Sequence, residues 1–378
     1  MHHALDIAEL KPFVFRSPLT MPVQTSFGLM RDRPMLLVRA RDHDGAVGWG
    51  EVWCNFPAVG AEHRARLISS LFEPLVTSRR FATPEDAFRT ITAETAVLAL
   101  QCAEPGPFAQ VIAGIDTALH DLTARRAGQP LWRHLGGRSG RIGVYASGLN
   151  PTSPEILAAE KRDAGHRAFK LKIGFGRERD IANLTALRAQ LGSDVRLMVD
   201  ANQAWSLGDA LAMLPALADF GLDWLEEPLR ADRPWSEWKR LASATSIPLA
   251  AGENVMGEDA FARACASGAL GVVQPDLAKW GGLSACLPVA RHIKAEGLRF
   301  CPHYLGGGIG LLASGHLLAA VGGSGALEID ANPNPLRTGI ASACEAVDDG
   351  SIDLGDEPGL GIEDPLERVQ DFAVPVPP

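Results

Sequence analysis

Short apolar runs alternate with longer amphipathic stretches from residue 142 to residue 327. One run follows the next at intervals of about 25 residues, a length that suits a strand, a helix and the loops between them. Eight runs are predicted to be strands: 142–146, 168–173, 195–199, 222–225, 247–252, 270–275, 298–302 and 326–327. This repetition predicts an α/β fold of the (β/α)8, or TIM, barrel type.

The first 130 residues show a different pattern, in which strands come before helices. Alternating apolar positions predict strands at 13–15, 35–41 and 47–52, and amphipathic stretches predict helices at 62–76, 84–100 and 108–127. The last residues are rich in turns. We therefore predict an α+β capping domain at 1–130, the barrel at 131–332, and a C-terminal segment at 333–378 that returns to the capping domain.

Composition narrows the range of partners. The net charge of −9 and the pI near 5.6 disfavour nucleic acid and anionic membranes, because both would be repelled overall. The six cysteines form no CxxC pair, which is typical of reduced thiols in the cytoplasm. No stretch approaches the roughly 18 apolar residues of a membrane span, so neither secretion nor membrane insertion is expected.

Charged residues recur where the predicted strands end. The C-terminal ends of barrel strands meet at one mouth, so side chains far apart in the chain become neighbours there. Six residues have this placement: Asp200, Glu226, Glu253, Asp276, His303 and Glu328. Together they predict an active site at the barrel mouth.

Asp200, Glu226 and Glu253 end three successive strands. Three carboxylates left unpaired at one mouth would repel one another, and a divalent cation removes this conflict. Oxygen-only ligation favours Mg²⁺, with Mn²⁺ as an alternative. The alternative interpretation is that each acid caps the following helix. Glu227 follows Glu226 directly and is expected to point elsewhere, as a supporting or salt-bridging group.

Lys170 and Lys172 stand two positions apart, on one face of the second strand. Both are expected to point into the barrel mouth. Near a cation, each lysine would lower the pKa of the other, so that one could act as a neutral base while the other stays charged and holds an anion. The alternative is a pair of surface lysines. A small anionic substrate would need such local cations.

His303 and Asp276 follow neighbouring strands on the far side of the barrel. A carboxylate that accepts one imidazole N–H fixes the tautomer and raises the basicity of the other nitrogen. A purely structural histidine is the alternative. With a base on each side of a metal, the site suits removal of a proton α to a carboxylate, and Glu328, if protonated, could donate a hydrogen bond to the developing charge.

The strings KLKIGFG, VDANQAW, WLEEP, AAGEN, QPDLAKWGG and CPHYLGGG resemble the enolase superfamily and its mandelate racemase subgroup. The resemblance runs over nearly the whole chain and implies an α+β capping domain over a modified TIM barrel. It implies Mg²⁺ ligation by the three acids, Lys172 and the His303–Asp276 pair as acid/base groups, and Lys170 as a polarising group. It also implies a homo-oligomer.

Within this subgroup, the closest likeness is to galactarolactone cycloisomerases and acid-sugar dehydratases. A lysine replaces Asp276 in the muconate lactonizing subgroup, which is therefore disfavoured. The expected substrate is a hydroxylated carboxylate, either an acid sugar or its lactone. Isomerisation, epimerisation or cycloisomerisation is the favoured outcome, dehydration is the alternative, and a non-catalytic ligand-binding barrel is a second alternative.

Substrate contacts are predicted from two loops of the capping domain and two residues of the mouth. The loops 22–31 and 53–60 mix apolar and hydrogen-bonding side chains, as a substrate pocket or an ordinary domain interface would. The candidate substrate-binding residues are Gln24, Phe27, Trp53, Asn55, Asn202 and Asn254.

Overall fold

An antiparallel meander opens the chain. The computed structural model describes residues 4–24 and 28–375, and its first strands are β1 (Leu5–Gln24), β2 (Leu29–Asp42) and β3 (Val47–Val52). β2 lies between β1 and β3. Because β2 is the central strand and its side chains are mostly buried, this sheet can pack helices on one side and the barrel on the other.

Helices follow the meander: α1 (Gly60–Leu67), α2 (Glu73–Thr77), α3 (Pro84–Gln101) and α4 (Pro105–Arg126), with the short strand β4 (Arg80–Phe81) before α3. The helix predicted at 62–76 is interrupted by a π-helical turn at Ile68–Phe72. Pro74, which has no N–H to donate, stands in the first turn of α2.

The barrel follows α5 (Leu131–His134). Its strands are β5 (Arg141–Leu149), β6 (Ala168–Lys172), β7 (Arg196–Asp200), β8 (Leu222–Glu226), β9 (Leu249–Ala251), β10 (Val272–Val273), β11 (Arg299–Phe300) and β12 (Ala326–Asp330). The helices between them are α6 (Pro154–Asp163), α7 (Arg177–Leu191), α8 (Leu207–Leu217), α9 (Trp235–Ala242), α10 (Glu258–Ala266), α11 (Gly282–Ala295) and α12 (Gly308–Val321).

These strands pair in parallel, in the order β11-β10-β9-β8-β7-β6-β5-β12. The two ends of this path approach each other, since a Cβ on Gly325 would lie 1.8 Å from the carbonyl oxygen of Phe300. Seven of the eight strands and the residue directly after β11 each contribute one buried side chain to an inner cluster: Tyr145, Ala168, Met198, Trp224, Ala250, Val272, Cys301 and Ala326. The predicted α/β barrel with an α+β unit is confirmed.

The predicted strand limits need correction at the mouth. β12 continues to Asp330, so Glu328 lies inside this strand and not after it. β9, β10 and β11 are shorter than predicted, and Glu253, Asp276 and His303 therefore lie on loops just beyond them. Loop backbone can bring these side chains closer to the barrel axis than strand positions would.

The C-terminal segment contacts both parts of the molecule. It contains α13 (Pro335–Thr338), α14 (Ser342–Glu345), β13 (Ser351–Asp353), α15 (Leu366–Val369) and β14 (Ala373–Val374). β13 pairs with β5 in the barrel, and β14 pairs with β1 in the meander. The division of the chain at residues 130 and 332 stays a prediction. No helix in the described part combines the length and the apolarity that a bilayer crossing requires.

His316, buried on α12, gives a testable dependence of stability on pH. Its Nδ1 accepts the N–H of Trp132 at 3.0 Å, and burial lowers its pKa to about 4. Between the ordinary pKa near 6.5 and this value, the unfolded chain binds a proton that the folded chain does not, so stability falls as the pH falls. The loss is on the order of 3 kcal/mol. In His316→Leu, we expect the difference in unfolding free energy between pH 7 and pH 4 to shrink by this amount in urea titrations.

The control for this measurement is His292→Gln, at an exposed position of α11, which should leave the pH dependence unchanged. Burial also lowers the pKa of His166 to about 4, so part of the acid sensitivity should remain in the His316 variant. An unaltered pH dependence in His316→Leu would contradict the assignment.

Candidate active site

A cavity of about 280 Å³ lies at the barrel mouth beneath the loop after β3. Eight residues singled out from the sequence line it: Trp53, Asn55, Lys172, Asn202, Glu253, Asn254, His303 and Glu328. Lys170, Asp200, Glu226 and Asp276 do not line the cavity but are buried around its base. Gln24 ends β1, and Phe27 lies outside the described residues.

Strand register brings the charged groups together. On β6, Lys170 and Lys172 share the inward face, whereas Leu171 belongs to the core between strands and helices. Lys172 is the register partner of Asp200, which is in turn the partner of Glu226. Consecutive parallel strands therefore place an ammonium and two carboxylates side by side.

Lys170 is fully buried below the cavity. Its Nζ lies 2.6 Å from Glu226 Oε1, 2.8 Å from Glu328 Oε1 and 3.8 Å from Asp200 Oδ2. Burial alone would lower the pKa of Lys170, but Glu226 and Glu328 raise it, and the net shift is well upward. Lys170 thus neutralises the acids below the cavity. Its role as a polarising group for a substrate stays a prediction.

Lys172 reaches the cavity and binds Asp200 Oδ2 at 2.5 Å. Burial would lower its pKa, whereas Asp200 raises it, and the net direction is upward. Lys170 lowers the pKa of Lys172, but the carboxylates outweigh this effect. The neutral lysine expected beside a metal ion stays a prediction.

Glu226 and Glu227 occupy different environments. Glu226 Oε2 accepts from Gln274 Nε2 at 2.6 Å and from Trp224 Nε1 at 3.1 Å, and burial raises the pKa of Glu226 to about 7. The backbone at Glu227 is left-handed, with φ of 38°, and its carboxyl group accepts from Asn254 Nδ2 at 2.9 Å. Burial, Glu253 and Asp200 raise the pKa of Glu227 well above its usual range.

His303 is held by Asp276. Its Nδ1 lies 2.8 Å from Asp276 Oδ2, and Asp276 Oδ1 accepts the backbone N–H of Ala278 at 2.9 Å. This contact places a proton on Nδ1 and directs Nε2 toward the cavity side, where Glu253 Oε2 lies at 2.7 Å. Burial would lower the pKa of His303, but Glu253 and Glu328 raise it well above the ordinary value.

Glu328 accepts a short hydrogen bond from the hydroxyl of Ser147 and contacts Lys170. Burial would raise the pKa of Glu328, but Lys170 and His303 lower it, and the net direction is downward. The role of Glu328 as a protonated donor to the substrate stays a prediction.

The capping domain holds the loop that carries His303. Glu51, near the end of β3, accepts the backbone N–H of Gly307 at 2.5 Å and of Gly310 at 2.9 Å. Gly307 directly precedes α12, and Gly310 lies in its first turn. Asn55 Nδ2 donates to the carbonyl oxygen of Leu305 at 2.6 Å. Asn55 therefore positions the loop as well as lining the cavity.

Sequence reasoning did not identify part of the cavity wall. Ser147, Asn150, Gln203, Asp330 and Asn332 also line it. The alternation along β12 could have indicated Asp330, two positions after Glu328 on the same face.

Lys279 lines the cavity as well. Its Nζ lies 3.2 Å from Glu253 Oε2 and 5.1 Å from the ring centre of Trp53.

Around the bottom of the cavity, carboxyl groups outnumber positively charged side chains. Within residues 4–24 and 28–375, no three His, Cys, Asp or Glu side chains are arranged to hold a metal ion, because lysines and His303 contact the carboxylate oxygens. The donor set nevertheless fits a divalent cation: the carboxyl groups of Asp200, Glu226, Glu227, Glu253, Asp276 and Glu328 surround Lys170, Lys172, Lys279 and His303. Burial raises the pKa values of Glu226 and Glu227, and the neighbouring carboxylates add to the rise.

Family models match most of the chain. Residues 155–367 match the enolase C-terminal domain-like family, and residues 9–136 match the N-terminal domain of mandelate racemase and muconate lactonizing enzyme. The chain belongs to the enolase superfamily, in its mandelate racemase/muconate lactonizing enzyme family.

Curated relatives include enzymes of two reaction types. D-galactarolactone cycloisomerase of Agrobacterium fabrum is 30% identical over 99% of this chain and 100% of the relative. Arabinonate dehydratase of Saccharolobus solfataricus is 29% identical over 88% of this chain and 89% of the relative. The predicted class of enzyme, isomerase or dehydratase of this superfamily, is confirmed at this level.

Solved structures agree with this assignment. A mandelate racemase/muconate lactonizing enzyme from Bordetella bronchiseptica RB50 is 55% identical, with a TM-score of 0.93, over 98% of this chain and 100% of that one. A racemase from Streptomyces coelicolor A3(2), solved with bound magnesium, is 28% identical, with a TM-score of 0.86, over 97% of this chain and 100% of that one. Magnesium in the second structure agrees with the predicted cofactor.

Proposed function

We propose that this enzyme removes the proton α to the carboxylate of a hydroxylated acid, an acid sugar or its lactone, and rearranges the product without net oxidation. The observation that carries this proposal is a single cavity with Lys172 on one side and the His303–Asp276 pair on the other. Around the barrel, β6 and β11 are separated by two strands in one direction and four in the other. Bases so placed can act on opposite faces of one carbon.

Asp200, Glu226 and Glu253 would hold Mg²⁺, with Mn²⁺ as an alternative. They come from β7, β8 and the loop after β9, and they supply only oxygen donors. A bound dication would stabilise the negative charge that develops on the substrate carboxylate when the α-proton leaves. It would also offset the carboxylates that raise the pKa of Lys172, which favours the neutral amine required of a base.

Each residue of the active site then has a defined role. Lys172 Nζ accepts the α-proton from one face, and His303 Nε2 accepts or returns a proton on the other. Asp276 keeps the proton of His303 on Nδ1, so that Nε2 is the reactive atom. Lys170 neutralises Glu226 and Glu328 beneath the substrate, and Trp53 and Asn55 cover it from the capping domain.

The later steps distinguish isomerisation from dehydration. Return of a proton to the same carbon gives an epimer. In a lactone whose ring oxygen is on the β-carbon, the enediolate can instead expel that oxygen as a carboxylate, which breaks the ring bond, and the resulting enol takes up a proton to give an isomeric keto acid. Expulsion of a β-hydroxyl with a proton from His303 gives a dehydrated keto acid. We favour isomerisation, including cycloisomerisation, because the cycloisomerase relative matches the chain over nearly its full length. The homo-oligomeric state and the cytoplasmic location stay predictions.

Proton NMR in D₂O tests the proposal on a panel of aldonic, aldaric and lactone acids. We expect the α-proton signal of at least one acid to disappear with Mg²⁺ present and to persist after EDTA treatment. The product spectrum then identifies the overall reaction.

A pair of variants on β8 separates the metal site from general effects on the fold. Glu226→Gln should lower the exchange rate by about 10²-fold or more, because it removes a ligand charge. Asp223→Asn should not, since Asp223 pairs with Arg196 and Arg299 away from the cavity. Exchange that is insensitive to both EDTA and Glu226→Gln would overturn the proposed role of the metal.

A further inference from the structure

One wall of the cavity is polar but presents no cation. It is formed by Ser147 and Asn150 at the end of β5 and by Asp330 and Asn332 at the end of β12. Asp330 is the register partner of Ser147, so the two strands place these groups side by side. Among the described residues that line the cavity, the lysines are Lys172 and Lys279, which belong to β6 and to the loop after β10.

Most of the side-chain donors of this wall are already used within the protein. Asn332 Nδ2 donates to Asp330 Oδ1 at 2.7 Å and to the carbonyl oxygen of Gly148 at 2.9 Å. Asn150 Nδ2 donates to Asn332 Oδ1 at 2.7 Å, and the hydroxyl of Ser147 donates to Glu328. The groups of this wall that remain able to hydrogen-bond a ligand are therefore mainly oxygen acceptors.

Asp330 is buried and ionised. Arg33, reaching from β2 of the capping domain, donates to Asp330 Oδ2 at 2.6 Å, and Arg337 Nη1 lies 3.6 Å from the same oxygen. Burial would raise the pKa of Asp330, but the two guanidinium groups lower it. Both arginines are themselves buried, and neither lines the cavity.

Gly148 shows that this arrangement depends on close packing. Its φ is +72°, and a Cβ there would lie 2.7 Å from Asp330 Oδ1 and 2.9 Å from Asn332 Nδ2. Any larger residue would push these two side chains away from β5.

We propose that Asn150, Asp330 and Asn332 form a subsite for hydroxyl groups at the end of the substrate remote from the reacting carboxylate, and that the enzyme prefers monocarboxylic polyhydroxy acids or their lactones to dicarboxylic acids. This inference rests on the proposed function. A hydroxyl group donates to the acceptors of the wall, whereas a second carboxylate is an acceptor only and would meet the charge of Asp330 without a facing cation. Arg33 is a positioning residue that holds Asp330 at this wall.

Matched pairs of acids test the subsite. Gluconate and glucarate, and galactonate and galactarate, differ only in whether the terminal carbon carries a hydroxyl group or a carboxylate. We expect the wild-type protein with Mg²⁺ to favour the monoacid of a pair by at least about tenfold, in kcat/KM for α-proton exchange and in affinity measured by calorimetry.

Asp330→Asn should change the preference itself. It removes the negative charge and leaves Arg33 and Arg337 behind the wall, so the ratio should move by about tenfold or more toward the diacid. Asn150→Ala, at a half-buried position, should raise KM for the monoacid more than it lowers kcat and should leave the diacid unaffected. Arg39→Gln is the control, because Arg39 pairs with Glu9 inside the capping domain and should leave the ratio unchanged.

The outcomes separate the two proposals. If neither acid of any pair exchanges its α-proton but calorimetry shows the preference and its shift in Asp330→Asn, the subsite stands and the proposed function fails. If exchange occurs and Asp330→Asn lowers both rates equally, Asp330 is merely structural and the subsite is overturned. Equal wild-type affinity for both acids of every pair also overturns it.

Discussion

Replacement of Lys172 by methionine is expected to reduce α-proton exchange by about 10²–10⁴-fold for the substrate epimer whose proton faces β6. The reason is that Lys172 reaches the cavity from β6, whereas the imidazole of His303 reaches it from the loop after β11. The other lysine and the histidine among the described residues that line the cavity, Lys279 and His303, reach it from the loops after β10 and β11.

His303→Asn is the matched variant, and it should impair the opposite epimer. NMR in D₂O with each epimer at C2, run separately, gives the four rates needed. Mg²⁺ titration and circular dichroism show that each variant still folds and binds the metal. Equal impairment of both epimers by both variants would contradict the placement of one base on each face.

Lys170→Met is expected to destabilise the fold by about 3–5 kcal/mol, the largest effect on stability that we predict. Lys170 is completely buried, and its ammonium group contacts Glu226 and Glu328 at 2.6 and 2.8 Å. Methionine fills a similar volume but leaves these carboxylates buried without their cation. Urea unfolding at pH 7.5, without divalent ions, measures the difference.

Lys239→Met, on the exposed side of α9, is the control and should change stability by no more than about 0.5 kcal/mol. A Lys170 variant as stable as this control would show that the acids around Lys170 are already neutral, and it would remove the role assigned to this lysine. Activity should also fall, because Glu226 is a proposed metal ligand.

Much of the site could be predicted from the periodicity of the sequence. The interval of about 25 residues located the strand ends, and the alternation along β6 placed Lys170 and Lys172 on one face. The strand limits were less accurate, because β10 and β11 are short and their functional residues stand on the loops that follow. Loop length does not follow from a strand pattern.

The contacts between the capping domain and the barrel could not be predicted from periodicity. Arg33 is 297 positions from Asp330, and Glu51 is 256 positions from Gly307. No period connects such pairs, since they meet only when the meander packs on the barrel. The net direction of the pKa shifts of the two lysines was not predictable either, because it depends on how many carboxylates surround them.

The sequence by itself determined the barrel, the order of the charged residues around its mouth and the resemblance to one family. These follow from local geometry, since strand and helix periods dictate where a side chain points. Only the tertiary structure decided which cation neutralises which carboxylate, that Lys170 lies below the cavity, and that Asp330 and Asn332 complete its wall. Those facts depend on distances and burial among residues remote in the chain, and charge interactions are determined by both.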